Sequence, residues 1–116
     1  MNASDFYTLG DSVPILVDLP ALDGAGVAVV LTSGVSSVKG RLVKYDRSAF
    51  LTPQKTIASS DPGCNFAALR VALTMVGSDT SSLTEQKAVV EIQVAFATGE
   101  ETFWSAPFWL RKGYVS

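Results

Sequence analysis

A chain of 116 residues is long enough to bury one hydrophobic core, and its 47% hydrophobic and 17% charged content excludes a disordered polymer. With 11 acidic and 9 basic residues the formal charge is -2, which excludes the uniformly basic surface that a nucleic-acid binder uses to displace counterions. Zero histidines and a single cysteine exclude imidazole chemistry, an internal disulfide and any metal site built on nitrogen and sulfur ligands.

Alternation with period two runs through the chain, and no segment carries a sustained helical stripe. In residues 13–20, Val13, Ile15, Val17 and Leu19 point one way while Pro14, Leu16, Asp18 and Pro20 point the other. That pattern predicts an opening strand with one wet or edge side, because the prolines cannot donate to a ladder. "LDGAG" (22–26) supplies the residues of a tight reversal, and a short apolar piece, 27–31, follows. "VKGRLVKYD" (38–46) predicts a middle strand with mixed faces and a bulge at Gly40. Lys39, Arg41, Lys44 and Arg47 fall within nine residues here, and strand alternation divides such a run between two faces.

"QKTIAS" (54–59) is a weaker strand candidate. After the loop "SDPGCN", the stretch "FAALRVALT" (66–74) sets Ala67, Leu69, Val71 and Leu73 against Ala68, Arg70 and Ala72, the pattern of a half-buried strand. Residues 77–86 break the alternation, with Ser78 or Asp79 placed to cap one helical turn ending near Leu83. "KAVVEIQVAFA" (87–97) is the strongest strand. "ATGEET" turns the chain, with Gly99 free to take a positive φ. "TFWSAPFWLRK" (102–112) returns as the last strand, with an edge or bulge at Pro107. About seven short strands with regularly spaced turns predict an all-β, antiparallel sandwich or small barrel that fills residues 1–116 as a single domain.

Catalytic chemistry finds little purchase. Gly10-Asp11-Ser12 matches the triplet that supplies the nucleophile of one large esterase family, but Ser12 has no imidazole to take its proton and no α/β scaffold around it. The carboxylates Asp61, Asp79, Glu85, Glu91, Glu100 and Glu101 lack calcium-loop spacing, and "DGAGVAV" lacks the Lys-Ser/Thr of a phosphate loop. Cys64 reads as a half-buried spectator thiol. No metal and no cofactor is expected. The N-terminus shows no basic region followed by an apolar run, and "GVAVVL" (26–31) is too short to cross a bilayer, so the reading is a soluble chain folded in a cytoplasm, without nucleic-acid or membrane partners.

The aromatic residues carry the functional interest. Phe103, Trp104, Phe108 and Trp109 crowd a short span, with Tyr114 beyond. The core claims most of such a cluster in a sandwich, while Trp and Phe also dominate the centres of subunit interfaces. Phe103, Trp104, Phe108, Trp109 and Tyr114 are therefore the candidate interface residues.

The ordered motifs "GDSVPILVDL" (10–19), "LDGAG" (22–26), "ALRVALT" (68–74), "SDTSSL" (78–83), "AVVEIQVAF" (88–96), "TGEET" (98–102) and "LRKG" (110–113) span nearly the whole chain. Together they resemble a family of immunoglobulin-like domains in tailed-bacteriophage structural proteins, best known at the N-terminus of baseplate upper and tail-fibre proteins. Glu85-Gln86 stand where that pattern has a glycine after its corner. The resemblance implies an immunoglobulin-like β-sandwich and a non-enzymatic virion component: a capsid decoration, a head–tail joint or a baseplate fibre adaptor. It implies capsid, neck or tail proteins as partners, and symmetric copies in the particle, assembled in the host cytoplasm. At the corner, Asp79 and Thr80 would bind backbone while Leu83 plugs the core. Two other readings stand beside this one: a carbohydrate-binding module stacking a sugar on Trp104 or Trp109, and a hydrolase using Glu91, Glu100 or Glu101.

Overall fold

The computed structural model describes residues 6–10 and 14–112. Ser12 and Tyr114 lie outside the described residues. Eight strands make up the described fold: β1 (Phe6–Leu9), β2 (Pro14–Asp18), β3 (Val35–Lys44), β4 (Lys55–Thr56), β5 (Arg70–Thr74), β6 (Gln86–Phe96), β7 (Gly99–Trp104) and β8 (Phe108–Lys112). A single helical turn, α1 (Gly77–Thr80), precedes β6.

Six strands form one curled sheet in the order β1-β8-β6-β3-β4, with β7 also on β6, while β2 and β5 pair in a second, small sheet. β6 is the spine. Along one edge it pairs with β3; along the other, its first residues pair with β8 and its last with β7. The expected antiparallel arrangement needs correcting at one place. β1, a strand the sequence reading missed, joins β8 in parallel with Phe6 opposite Trp109, so the sheet is mixed.

Apolar side chains of both sheets share one core, including Ile15, Val17, Val71 and Leu73 of the small sheet and Leu42, Val90, Ile92, Phe108 and Leu110 of the large one. Gly40 is buried in this core. Instead of a bulge, Gly40 sits in unbroken register opposite Ile92, and the irregularity lies between Val35 and Ser37. A Cβ at Gly40 would meet Ile57 Cδ1 at 3.0 Å, Ile92 Cδ1 at 3.1 Å and Leu73 Cδ1 at 3.3 Å. The glycine leaves room over β3 for the side chains of Ile57, Ile92 and Leu73.

Three further expectations shift. Residues 27–31 form no strand, although Val29 and Leu31 enter the core. In the stretch 66–74 only Arg70–Thr74 is extended. Phe66–Ala68 make a 3-10 turn whose Ala68 N–H reaches the Asn65 side chain, and Leu69 takes a left-handed φ of 59°. Ala67 is exposed as a result. The turn α1 is capped by neither Ser78 nor Asp79 in the N-cap position, which Val76 holds, and it closes before Leu83. Asp79 instead reaches back to accept the Val76 N–H at 2.9 Å.

The fully buried Thr80 accepts the Gly10 N–H at 2.8 Å, so the end of β1 is tied to the corner. Gly77 permits this: a Cβ there would stand 2.6 Å from the Gly10 carbonyl oxygen. Leu83 packs half-buried against the core. Among the described residues, no helix is long and apolar enough to cross a membrane.

Candidate functional site

The last strand is broken, and the break decides where the aromatic residues go. Ser105 takes hydrogen bonds both ways with Val90: its N–H donates to the Val90 carbonyl (3.0 Å) and its Oγ accepts the Val90 N–H (2.8 Å). Residues 105–107 thus interrupt β7 and β8 and change the phase of alternation. Phe103 and Phe108, which one continuous strand would send to opposite faces, both enter the core. Trp104 and Trp109 both turn to the outer face of the large sheet, Trp104 half-buried and Trp109 exposed.

Register assembles the rest of that face. Trp104 is opposite Glu91, and Glu91 is opposite Arg41. Trp109 is opposite Lys87 and also opposite Phe6. Tyr45, whose N–H donates to the Lys87 carbonyl, extends the same row. The loop after β3 folds back, with Arg47 at a positive φ of 64° and Phe50 bridged to Val43. Phe6, Tyr45, Phe50 and Trp109 are 56%, 53%, 63% and 41% exposed.

Each of four rings carries a cation. The Arg41 guanidinium lies 3.5 Å from the Phe50 centroid, Arg47 lies 4.1 Å from Trp104, Lys87 lies 5.5 Å from Trp109, and Arg111 lies 5.6 Å from Phe6. Ring faces attract cations through their quadrupole. In the middle, Glu91 is only 6% exposed and accepts from Arg41 Nε at 2.8 Å. Val43 and Val89 are buried on the same side, so this face is partly dry although no second sheet covers it.

The other carboxylates named from the sequence are scattered. Asp79 pairs with Lys55 at 2.7 Å, and this contact holds its carboxyl below the ordinary range. Asp61 caps the Ala58 N–H, and Glu85 accepts the Lys112 N–H. Glu100 and Glu101 open β7 beside the hairpin turn, exposed, with Gly99 at a φ of 139° as expected. Among the described residues no three His, Cys, Asp or Glu side chains come together as metal ligands. Cys64 is half-buried, its Sγ accepts the Ala72 N–H at 3.3 Å, and burial pushes its thiol up.

The sequence singled out Trp104 and Trp109, and it named Glu91 as a carboxylate and Arg41 and Arg47 as part of a basic run, but it missed Phe6, Tyr45 and Phe50 as their neighbours. Arg41 and Glu91 were readable as residues on one face once β3 and β6 are paired. Phe50 and Arg47 sit in a loop where no periodicity speaks. No family model, no curated protein and no solved structure matches this chain.

Proposed function

We propose that this chain is a non-enzymatic, immunoglobulin-like structural component of a tailed-phage virion that works by contact with neighbouring subunits. The observation that carries the reading is the cation-bearing aromatic face of the large sheet, since exposed rings and arginines are what subunit interfaces bury at their centres. Strand order supports the immunoglobulin-like part. In that fold the third strand, its added neighbour, and the last two strands share one sheet, while the second and fifth principal strands pair in the other. The pairs β4-β3-β6-β7/β8 and β2-β5 follow this division. The phage assignment rests on the ordered sequence motifs. Its test is a reconstruction of purified particles carrying this gene, with mass spectrometry of their proteins. Density for the chain with Trp104 or Trp109 covered by a neighbour is expected; particles without the chain overturn the reading.

One observation favours a second reading, a sugar-binding module. Trp109 borders a recess of about 290 Å³ together with Glu85, Leu110 and Arg111, a combination of ring and polar groups that suits a saccharide. A glycan array bound by the wild type and lost in Trp109→Ala would move the assignment there.

A further inference from the structure

Strand β2 of the small sheet and the end of β7 in the large one border a common recess, and each has a bare edge. Among the described residues β7 pairs with β6 alone, and β2 with β5 alone. The bond from the Ser105 N–H to the Val90 carbonyl fixes the phase of the β6–β7 ladder, because alternate residues of an antiparallel strand turn toward and away from the partner. The main-chain groups of Glu100, Thr102 and Trp104 therefore point away from β6. The bond from the Leu19 N–H to the Leu69 carbonyl does the same for β2, turning Leu16 and Asp18 away from β5. None of these outward main-chain groups has a partner among the described residues. β7 offers the longer run, since Pro14 of β2 lacks an N–H.

Two recesses lie along this edge. At the Trp104 end, one of about 200 Å³ is walled by Leu16, Val17, Trp104 and Ala106; its carboxylate, Asp18, is already paired with Arg70 at 2.8 Å. At the other end, one of about 150 Å³ has the apolar Val27, Val29 and Phe96 beside three carboxylates, Asp23, Glu100 and Glu101. Asp23 Oδ1 accepts the Ala25 and Val27 N–H groups, while Glu100 and Glu101 are exposed. No cation lines this recess, and among the described residues none pairs with these three carboxylates. The neighbouring cations are engaged or distant: Arg47 lies over the Trp104 ring, and Lys39 stands on β3, two strands in from the edge.

We infer that this edge takes an extended, basic segment of a partner subunit, added as a strand beside β7. The inference rests on the subunit-contact reading above and gives that contact a chemistry. Main-chain bonds to Glu100, Thr102 and Trp104 hold the segment, and its inward side chains fill the two recesses, which supply the specificity. The recesses lie four residues apart along β7, about 13 Å, so both are reached from one face of a strand. The pattern recognised is an apolar side chain and, four residues away, a Lys or Arg. Its stem lies on Val27 and Phe96, and its charge meets the carboxylates. A second copy of this chain does not supply that cation, because the inward residues of its β7 are Glu101 and the buried Phe103.

The test is selection of a displayed library of random peptides of about twelve residues on the full chain at low salt, followed by amide exchange. Selected peptides are expected to carry the apolar and basic pair at that spacing. In the free chain the amides of Glu100, Thr102 and Trp104 should exchange fast beside slow Glu101 and Phe103, and bound peptide should slow all three. Thr102→Pro removes one outward N–H without touching a bond to β6 and should weaken binding about tenfold. Thr102→Val keeps that N–H and should bind as wild type. Glu101→Lys should also weaken binding about tenfold. Outward amides already slow in the free chain, a library that yields no binder, peptides indifferent to both Thr102→Pro and Glu101→Lys, or a chain that self-associates through this edge would each overturn the inference. Particles that contain the chain with β7 uncovered would sink the strand addition and leave the virion reading standing. Peptides that bind in this way to a chain absent from particles would do the reverse.

Discussion

Adding one methyl group at Gly40 tests how tightly the core packs against β3. The Cβ of Gly40→Ala would enter a gap bounded by the terminal methyls of Ile57, Ile92 and Leu73 at 3.0, 3.1 and 3.3 Å. All three contacts are tighter than ordinary van der Waals separation, and Ile92 and Leu73 are fully buried with little room to retreat. Overpacking of this kind costs about 1–3 kcal/mol. Replacing a strand glycine returns about 0.5–1 kcal/mol through lost backbone freedom in the unfolded chain. The net expectation is a loss of about 1 kcal/mol, or roughly 3–6 °C in Tm.

Ile57→Val deletes the nearest methyl and alone should cost about 0.5–1.5 kcal/mol. Urea unfolding at one fixed protein concentration, followed by tryptophan fluorescence, measures all four corners of the cycle. The double variant should be about 1 kcal/mol more stable than the sum of the singles predicts. If Gly40→Ala matches or exceeds wild type, or if the two changes add within about 0.3 kcal/mol, the core is not packed against this glycine as described.

Other residues give sharper local tests. Arg41→Met strands the buried Glu91 carboxylate and should cost about 2–3 kcal/mol, most of it recovered in Arg41→Met/Glu91→Leu; additive losses would mean that the pair does not act as one unit. Asp79 is held below its ordinary 3.8 by Lys55 and the Val76 N–H. Because its folded value is the lower one, its contribution is complete above 3.8 and drains away as pH falls through the lowered value. Acid unfolding of wild type and Asp79→Asn should accordingly differ by a constant margin near neutrality that closes only in the acid range; a margin that closes near pH 6 would point to another group. Cys64, with its thiol pushed up by burial, should react with a disulfide reagent about tenfold more slowly in the folded chain than in urea, and equal rates would refute its placement.

The strands most legible in the sequence are those whose two faces meet different surroundings. β2 places Ile15 and Val17 inward as its alternation demands, and β6 does the same with Ala88, Val90, Ile92 and Val94. On the other face of β6, alternation leads one to expect water at Val89 and Glu91. Both are buried instead, beside a loop in which Phe50 folds back on Arg41 of the preceding strand and Arg47 reaches Trp104, far away in sequence. β5 misleads for a different reason. Leu69 continues the apolar alternation, yet the Asn65 side chain offers the backbone a local turn, and Leu69 bends into the left-handed region before the strand begins. The aromatic pair at the site was half legible. Two tryptophans announce themselves by composition, but only the three-residue interruption anchored by Ser105 on Val90 puts both on the same face. The short parallel β1, which brings Phe6 to Trp109, has too few residues for periodicity to register.

Exposed rings on an open sheet face invite indiscriminate sticking, and the cations resolve that difficulty without closing the surface. A cation over an exposed ring contributes only about 0.5–1 kcal/mol. That is enough to keep charge and water near Trp109 and Phe6 while the chain is alone. It is also small beside what a partner gains by covering the rings, at about 25 cal/mol per Å² of apolar surface. On the subunit-contact reading, Lys87 and Arg111 would leave their rings at little cost. Arg41 cannot. Its guanidinium is engaged at once by the buried Glu91 and by Phe50, and releasing it would leave a carboxylate stranded in a dry place. The face thus has a firmly held centre and loosely held ends: Arg41 is fixed by both Glu91 and Phe50, while Lys87 and Arg111 each rest on a single exposed ring.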